Sequence, residues 1–226
     1  MSLLVNVVDV FVDAAGAHGN QLGIVWASSS TRKREQAIAA DLGFSETIFI
    51  DAVEAGAATA RIYTPARELP FAGHPTVGLA AWLRDNGDEI KHIDVPAGSV
   101  RVRFDGDLVF ATALPEWAPP FELDQLANPD EVEAVDPDAY GLGMHYVWAW
   151  FDETRKRVRA RMFAPELGIR EDEATGSAAV RLSAELGQDL EIVQGSGSLL
   201  HTHLRYLGQQ VEVGGRVSAA RVLELR

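Results

Sequence analysis

Apolar and polar positions along the 226-residue chain alternate in short runs. Residues 4–12, LVNVVDVFV, are apolar and β-branched and read as a strand. The loop DAAGAHGN follows, then LGIVWA as a second strand. TRKREQAIAADLG fits a helix, with Thr31 as its N-cap and Gly43 as its stop. SETIFIDA and ATARIYT have strand patterns, and PTVGLAAWLRDNG is a helix with Gly87 beyond its end. From His92 to Leu114 the alternation predicts hairpins turning at Ala97-Gly98 and Asp105-Gly106. The stretch 114–143, rich in Pro, Asp and Glu, is the best boundary. MHYVWAWFDE and RVRARMFAP resume strands, TGSAAVRLSAELG is a helix, and the remainder is strand or hairpin. The expected class is α+β, strand-rich with few helices.

A repeat refines this outline. Arg61-Ile62-Tyr63-Thr64-Pro65 is echoed by Arg161-Met162-Phe163-Ala164-Pro165, and each is followed by a polar loop, a Gly turn and an Ala-rich helix. Aligning Gly73 with Gly176 sets His74 on Ser177, Leu79 on Leu182 and Leu83 on Leu186. The paired leucines lie four apart, on one helical face in each half. The echo implies two similar domains, 1–117 and 118–226, with two helix N-termini facing across a cleft.

Composition narrows the function classes. Apolar residues make up 47% and charged residues 23%, an ordinary globular mixture. The net charge of −13 argues against nucleic acid, whose phosphates need a Lys/Arg face. The chain has no cysteine, which excludes disulfides, Cys-zinc sites and thiol nucleophiles. The apolar N-terminus lacks a basic region and soon meets Asp9 and Asp13, so it reads as a strand rather than a signal peptide. No apolar run reaches membrane-spanning length. A cytoplasmic protein without membrane or nucleic-acid partners is expected.

Several residues could carry chemistry. Glu46, in GFSETIFI, sits at the edge of an apolar strand, where partial desolvation suits a general acid/base. A lone exposed Glu at a strand entrance is the commoner reading. His74 lies in FAGHPTVG, at the opening of a helix, where proline fits the first turn and anions are attracted. It could donate a proton or simply cap and pack. Asp172, in REDEATGSA, could orient a substrate amine, or serve the helix dipole as Glu171 and Glu173 would. Thr175 and Ser177 could bind a carboxylate with the N–H groups near Gly176, or act as N-caps. Asn20, in HGNQ, is a loop residue that could touch a ligand. His201 and His203 share one strand face without a nearby carboxylate pattern, so no metal is expected.

Taken together, these motifs resemble the phenazine-biosynthesis (PhzF-like) isomerase family, related in fold to diaminopimelate epimerases. The blocks VDVFVDAAGAHGNQLGIV, SETIFI, RIYTPARELPFAGHPTVGLAAWL, ARMFAPELGIREDEATGSAA and IVQG carry the resemblance, in order over nearly the whole chain. It implies two similar domains, each a curved, mostly antiparallel sheet around a central helix, with the C-terminal strand free to return to the first. It further implies a site between them, a homodimer, and neither cofactor nor metal. Carried over residue by residue, Glu46 is the proton shuttle, with His74 and Asp172 as its catalytic companions. Gly73, Gly176, Ser177, Thr175, Ser45 and Asn20 bind substrate. Diaminopimelate epimerases and proline racemases work with paired cysteines at the two turns. This chain has His74 and Ser177 there, so two-thiol racemisation is excluded.

Two positions depart from the family pattern. Glu173 replaces the usual proline of the ED-P-ATGS block, placing a negative charge beside the site. QGSGSLLHTHL replaces the usual QG continuation through Gly-Arg-Pro-Ser, and Arg205 is no clear substitute for that arginine. The expected activity is cofactor-free isomerisation of a small carboxylate substrate by proton transfer through Glu46. The alternatives are a binding protein that keeps the clamp without turnover, and a hydrolase or lyase in which Glu46 activates water.

Overall fold

Strand β1 (Leu3–Val12) opens a computed structural model that describes residues 3–225. The first half continues with β2 (Asn20–Trp26), α1 (Glu35–Leu42), β3 (Glu46–Glu54), β4 (Ala57–Tyr63), β5 (Glu68–Leu69), α2 (Gly73–Asp85), β6 (His92–Val95), β7 (Gly98–Asp105) and β8 (Leu108–Ala113). The second half contains β9 (Glu122–Gln125), α3 (Pro129–Ala134), β10 (His145–Asp152), β11 (Arg157–Ala164), β12 (Ile169–Asp172), α4 (Gly176–Leu186), β13 (Leu190–Gln194), β14 (Ser198–Arg205), β15 (Gln210–Val217) and β16 (Arg221–Leu225). One boundary corrects the sequence reading. Thr31 does not cap α1: its hydroxyl accepts the Ser28 N–H at 2.8 Å within a preceding turn. The helix starts later because Lys33 takes a left-handed φ of 66° that no helix can contain.

β1, β2, β3, β4, β6, β7, β8 and β15 form a closed ring, since β15 pairs both with β8 and with the end of β1. Helix α2 fills this ring. Every residue from Gly73 to Leu83 is buried, and the helix packs on β1, β2, β3, β7, β8 and β15. A helix apolar on all sides belongs in an interior, and Gly78, Ala80 and Ala81 make it slim enough to fit. β1 can serve both β2 and β15 because its register shifts between Val10 and Val12. The intervening Phe11 adopts a left-handed φ of 69°.

The duplication extends to topology. Parallel β2/β3 matches parallel β9/β10, with α1 and α3 as their crossovers. Antiparallel β3/β4 matches β10/β11, β5 matches β12, and parallel β4/β6 matches β11/β13. The meander β6–β7–β8 matches β13–β14–β15. In register, Tyr63 faces Thr47 as Phe163 faces His145. Met144 therefore stands where the first half has Glu46. The second sheet runs from β8 through β15, β14, β13, β11 and β10 to β9, and α4 packs on its strands β14 and β15. β15 closes the first ring, and β16 lies along β1. Among the described residues, no helix is long and apolar enough to cross a membrane.

Candidate active site

Parallel pairing places the starts of β2 and β3 at the same end of the ring, with Leu22 in register with Glu46. Asn20, Ser45 and Glu46 thus share one edge with the N-terminus of α2. The N-terminus of α4 approaches from the second half. A Cβ on Gly176 would lie 3.1 Å from the His74 backbone N, and one on Gly73 would lie 3.4 Å from the Gly176 Cα. Glycine at 176 keeps a Cβ from pressing on the α2 backbone, so the two helix N-termini meet closely. Their aligned peptide dipoles make the junction electropositive.

His74 is buried, at 3% exposure, and its two nitrogens have separate tasks. Nε2 lies 3.1 Å from the Asn20 carbonyl oxygen, and Nδ1 lies 2.8 Å from Glu46 Oε2. A carbonyl can only accept, so Nε2 must carry a proton. The contact between Nδ1 and Oε2 can be bridged by one further proton, held by either partner. Glu46 is a carboxylate when the imidazole holds it and a carboxylic acid when the proton crosses. Glu46 keeps a partly open side, at 18% side-chain exposure. The Phe11 ring, turned inward by the β1 bulge, lies 6.4 Å from the imidazole.

Asp172 anchors a second network. Oδ1 accepts from Asn20 Nδ2 at 2.7 Å and lies 3.1 Å from the Ser45 hydroxyl, which also reaches Asn20 Oδ1 at 3.0 Å. Oδ2 accepts from the Thr175 hydroxyl at 2.6 Å. Thr175 therefore does not cap α4 through its side chain, contrary to the simpler sequence reading. Its hydroxyl is committed to Asp172. Burial, and then the nearby Glu46 charge, push the Asp172 carboxyl up to about 6, against hydrogen bonds and the His74 charge that pull it down. An acid whose folded pKa is raised contributes stability below its unfolded pKa and loses it as pH rises through the folded value. Relative to Asp172→Asn, the wild type should therefore lose ~2–3 kcal/mol of unfolding free energy between about pH 4 and about pH 8. Parallel denaturant titrations of both proteins across that range measure this. A difference that stays flat with pH would show that Asp172 remains ionised throughout.

The three consecutive acids separate by strand alternation. Glu171 turns outward and accepts two bonds from Arg161, at 2.8 and 2.7 Å. Asp172 turns inward. Glu173 accepts from Ser196 N at 2.9 Å, from the Ser196 hydroxyl at 3.0 Å and from the Ser198 hydroxyl at 2.7 Å. The Glu173 carboxylate is thus taken up by the Ser196–Ser198 turn. Ser198 also accepts from Gly19 N at 2.9 Å, which ties that turn to the loop before Asn20.

Glu46, His74, Asn20, Ser45, Asp172 and Thr175 are brought together, with Gly73 and Gly176 in contact beside them. Ser177 sits half-buried one residue into α4. Sequence reasoning missed Gln194 as a site residue, although it lies in the quoted IVQG block. Gln194 is fully buried. It donates to the Asp172 carbonyl at 3.0 Å and to the Thr175 hydroxyl at 2.9 Å. It accepts from Thr175 N at 3.1 Å and from the Tyr146 hydroxyl at 3.0 Å.

The family model and the curated relatives agree on one family. A family model described as phenazine biosynthesis-like protein matches residues 8–134 and 121–218. The chain is 30% identical over 235 residues to the trans-2,3-dihydro-3-hydroxyanthranilate isomerase of Pseudomonas chlororaphis, covering 84% of each chain. It is 29% identical over 262 residues to the enzyme of that name from Pseudomonas aeruginosa, covering 96% of this chain and 93% of the other. Among solved structures, a PhzF-family phenazine biosynthesis protein from Enterococcus faecalis superposes over all of both chains, with a TM-score of 0.77 at 22% identity.

Proposed function

Because the chain belongs to the phenazine biosynthesis-like family, we propose that it is an isomerase that moves a proton between carbons of a small carboxylate substrate. Glu46 is the acid/base, and neither cofactor nor metal takes part in the step. The observation that carries this reading is the 2.8 Å contact of His74 Nδ1 with Glu46 Oε2, which one proton can bridge, with the Asn20 carbonyl oxygen on the opposite nitrogen.

With that proton on His74, the Glu46 carboxylate takes a proton from an activated substrate C–H. The electron pair left behind delocalises into the substrate's conjugated carboxylate. Glu46, now neutral, returns the proton to a second carbon on the same face, and the C=C bond shifts accordingly. No atom is gained or lost. The duplicated half offers Met144 rather than a second acid at the matching position, which favours one carboxyl acting twice on one face. The junction of α2 and α4 offers backbone N–H groups to the substrate carboxylate. Asn20, Ser45, Thr175 and Asp172 hold its remaining polar groups.

The substrate named for the Pseudomonas relatives, trans-2,3-dihydro-3-hydroxyanthranilate, is the first to test. Turnover in D2O, followed by NMR, should place deuterium at a single carbon of an isomeric product. Mass spectrometry after reaction in labelled water should find no new oxygen. Oxygen incorporation would instead make Glu46 a water-activating base. Saturable binding without formation of an isomeric product would make the protein a binder. A homodimer belongs to the same reading: Leu4 and Val222, exposed by 63% and 65%, share one face of the β1/β16 pair, and light scattering reads the mass directly.

A further inference from the structure

Outside this site, Glu122, Asp124 and His145 bring their ligand atoms within 4.8 Å of one another. Parallel pairing of β9 and β10 sets Glu122 beside His145, and Asp124 follows two residues along on the same face. His145 is only 7% exposed, and its Nε2 lies 2.5 Å from the Leu142 carbonyl oxygen. That oxygen can only accept, so Nε2 carries the ring proton. Nδ1 is buried and has no hydrogen-bond partner. It lies 3.3 Å from Glu122 Oε2 and 3.5 Å from Asp124 Oδ2.

A buried lone pair between two carboxylates is unfavourable unless something positive fills the gap. A proton on Nδ1 would be poorly served, because neither oxygen meets hydrogen-bond geometry with it. A cation would be well served. Ligands about 2.0–2.2 Å from a tetrahedral metal stand roughly 3.4 Å apart, close to both observed separations. Imidazole held in one tautomer by a backbone carbonyl on its other nitrogen is the usual arrangement of a metal-ligating histidine. The carboxylates open to solvent, with 66% and 42% side-chain exposure, leaving room for water ligands.

We propose that Glu122, Asp124 and His145 bind a divalent transition-metal cation of the zinc class, which pins edge strand β9 to β10. One nitrogen and two oxygen ligands suit Zn2+ or Co2+ better than Ca2+ or Mg2+. This cation lies outside the proton-transfer step, so the proposal stands or falls independently of the reading of Glu46. The neighbouring residue Tyr146 faces inward to Gln194, so the cation would also steady the strand that supports the Asp172 network.

The test uses tag-free, chelator-treated full-length protein titrated with Co2+ and, separately, with Zn2+. One equivalent of Co2+ should give visible ligand-field absorption, and one equivalent of Zn2+ should raise the melting temperature. Asp124→Asn and Glu122→Gln alter exposed side chains and should keep the fold while weakening binding by about tenfold or more. His203→Gln, at the separate His203–Asp189 contact, should leave binding unchanged. Absence of Co2+ and Zn2+ binding at millimolar metal would overturn the site. So would binding that survives both carboxylate substitutions.

Discussion

Glu46→Gln should lower turnover by about 10²–10⁴-fold, the range associated with losing a positioned general acid/base, while binding of an unreactive substrate analogue changes little. The substitution is well matched to the geometry. The Asn20 carbonyl keeps the proton on His74 Nε2, so Nδ1 presents a lone pair to position 46. A glutamine amide can donate to that lone pair across the same 2.8 Å. The dyad therefore keeps its shape and loses only its exchangeable proton. A fall in kcat with unchanged binding is the result expected of a shuttle. If Glu46→Gln kept wild-type turnover, His74 or Asp172 would have to be the base. Weakened analogue binding with unaltered kcat would make Glu46 a substrate clamp.

Legibility in the sequence followed the range of each interaction. The RIYTP and RMFAP echo exposed the duplication because those residues make the same local register in both halves. Closure of the first ring was hidden, because pairing of Val10 with Val217 joins opposite ends of the chain, and no local pattern encodes it. Thr31 misled as a cap because the left-handed Lys33 lies between it and the helix. Among Glu171, Asp172 and Glu173, composition could not choose. The β11/β12 register did, sending the middle carboxyl inward and its neighbours to Arg161 and to the Ser196–Ser198 turn. Gln194 escaped notice because a buried amide that serves four partners looks, in sequence, like any polar residue before a glycine. The Glu122–Asp124–His145 group escaped for a related reason: only parallel pairing across the α3 crossover brings its members together.

The largest stability effect should come from Gly214→Ala, far from any reacting atom. Gly214 lies in β15, opposite Phe110 of β8. An added Cβ would sit 2.2 Å from the Val109 carbonyl oxygen and 2.5 Å from Phe110 Cδ1. The first neighbour is backbone and cannot swing away. The second is held beneath the Arg103 guanidinium, 4.2 Å from the ring centroid, and Arg103 is itself fixed by Glu212. Relief requires separating β8 from β15, which opens the ring around α2. The expected loss is about 3 kcal/mol or more, the upper end for overpacking, read as a lower denaturant midpoint. Gly141→Ala, where a Cβ meets nothing within 4 Å, is the control and should stay within about 0.5 kcal/mol of wild type. A Gly214→Ala protein as stable as that control would mean that β15 does not close the ring. In the expected case, activity should fall together with stability, because α2 presents His74 to Glu46 only while the ring stays shut.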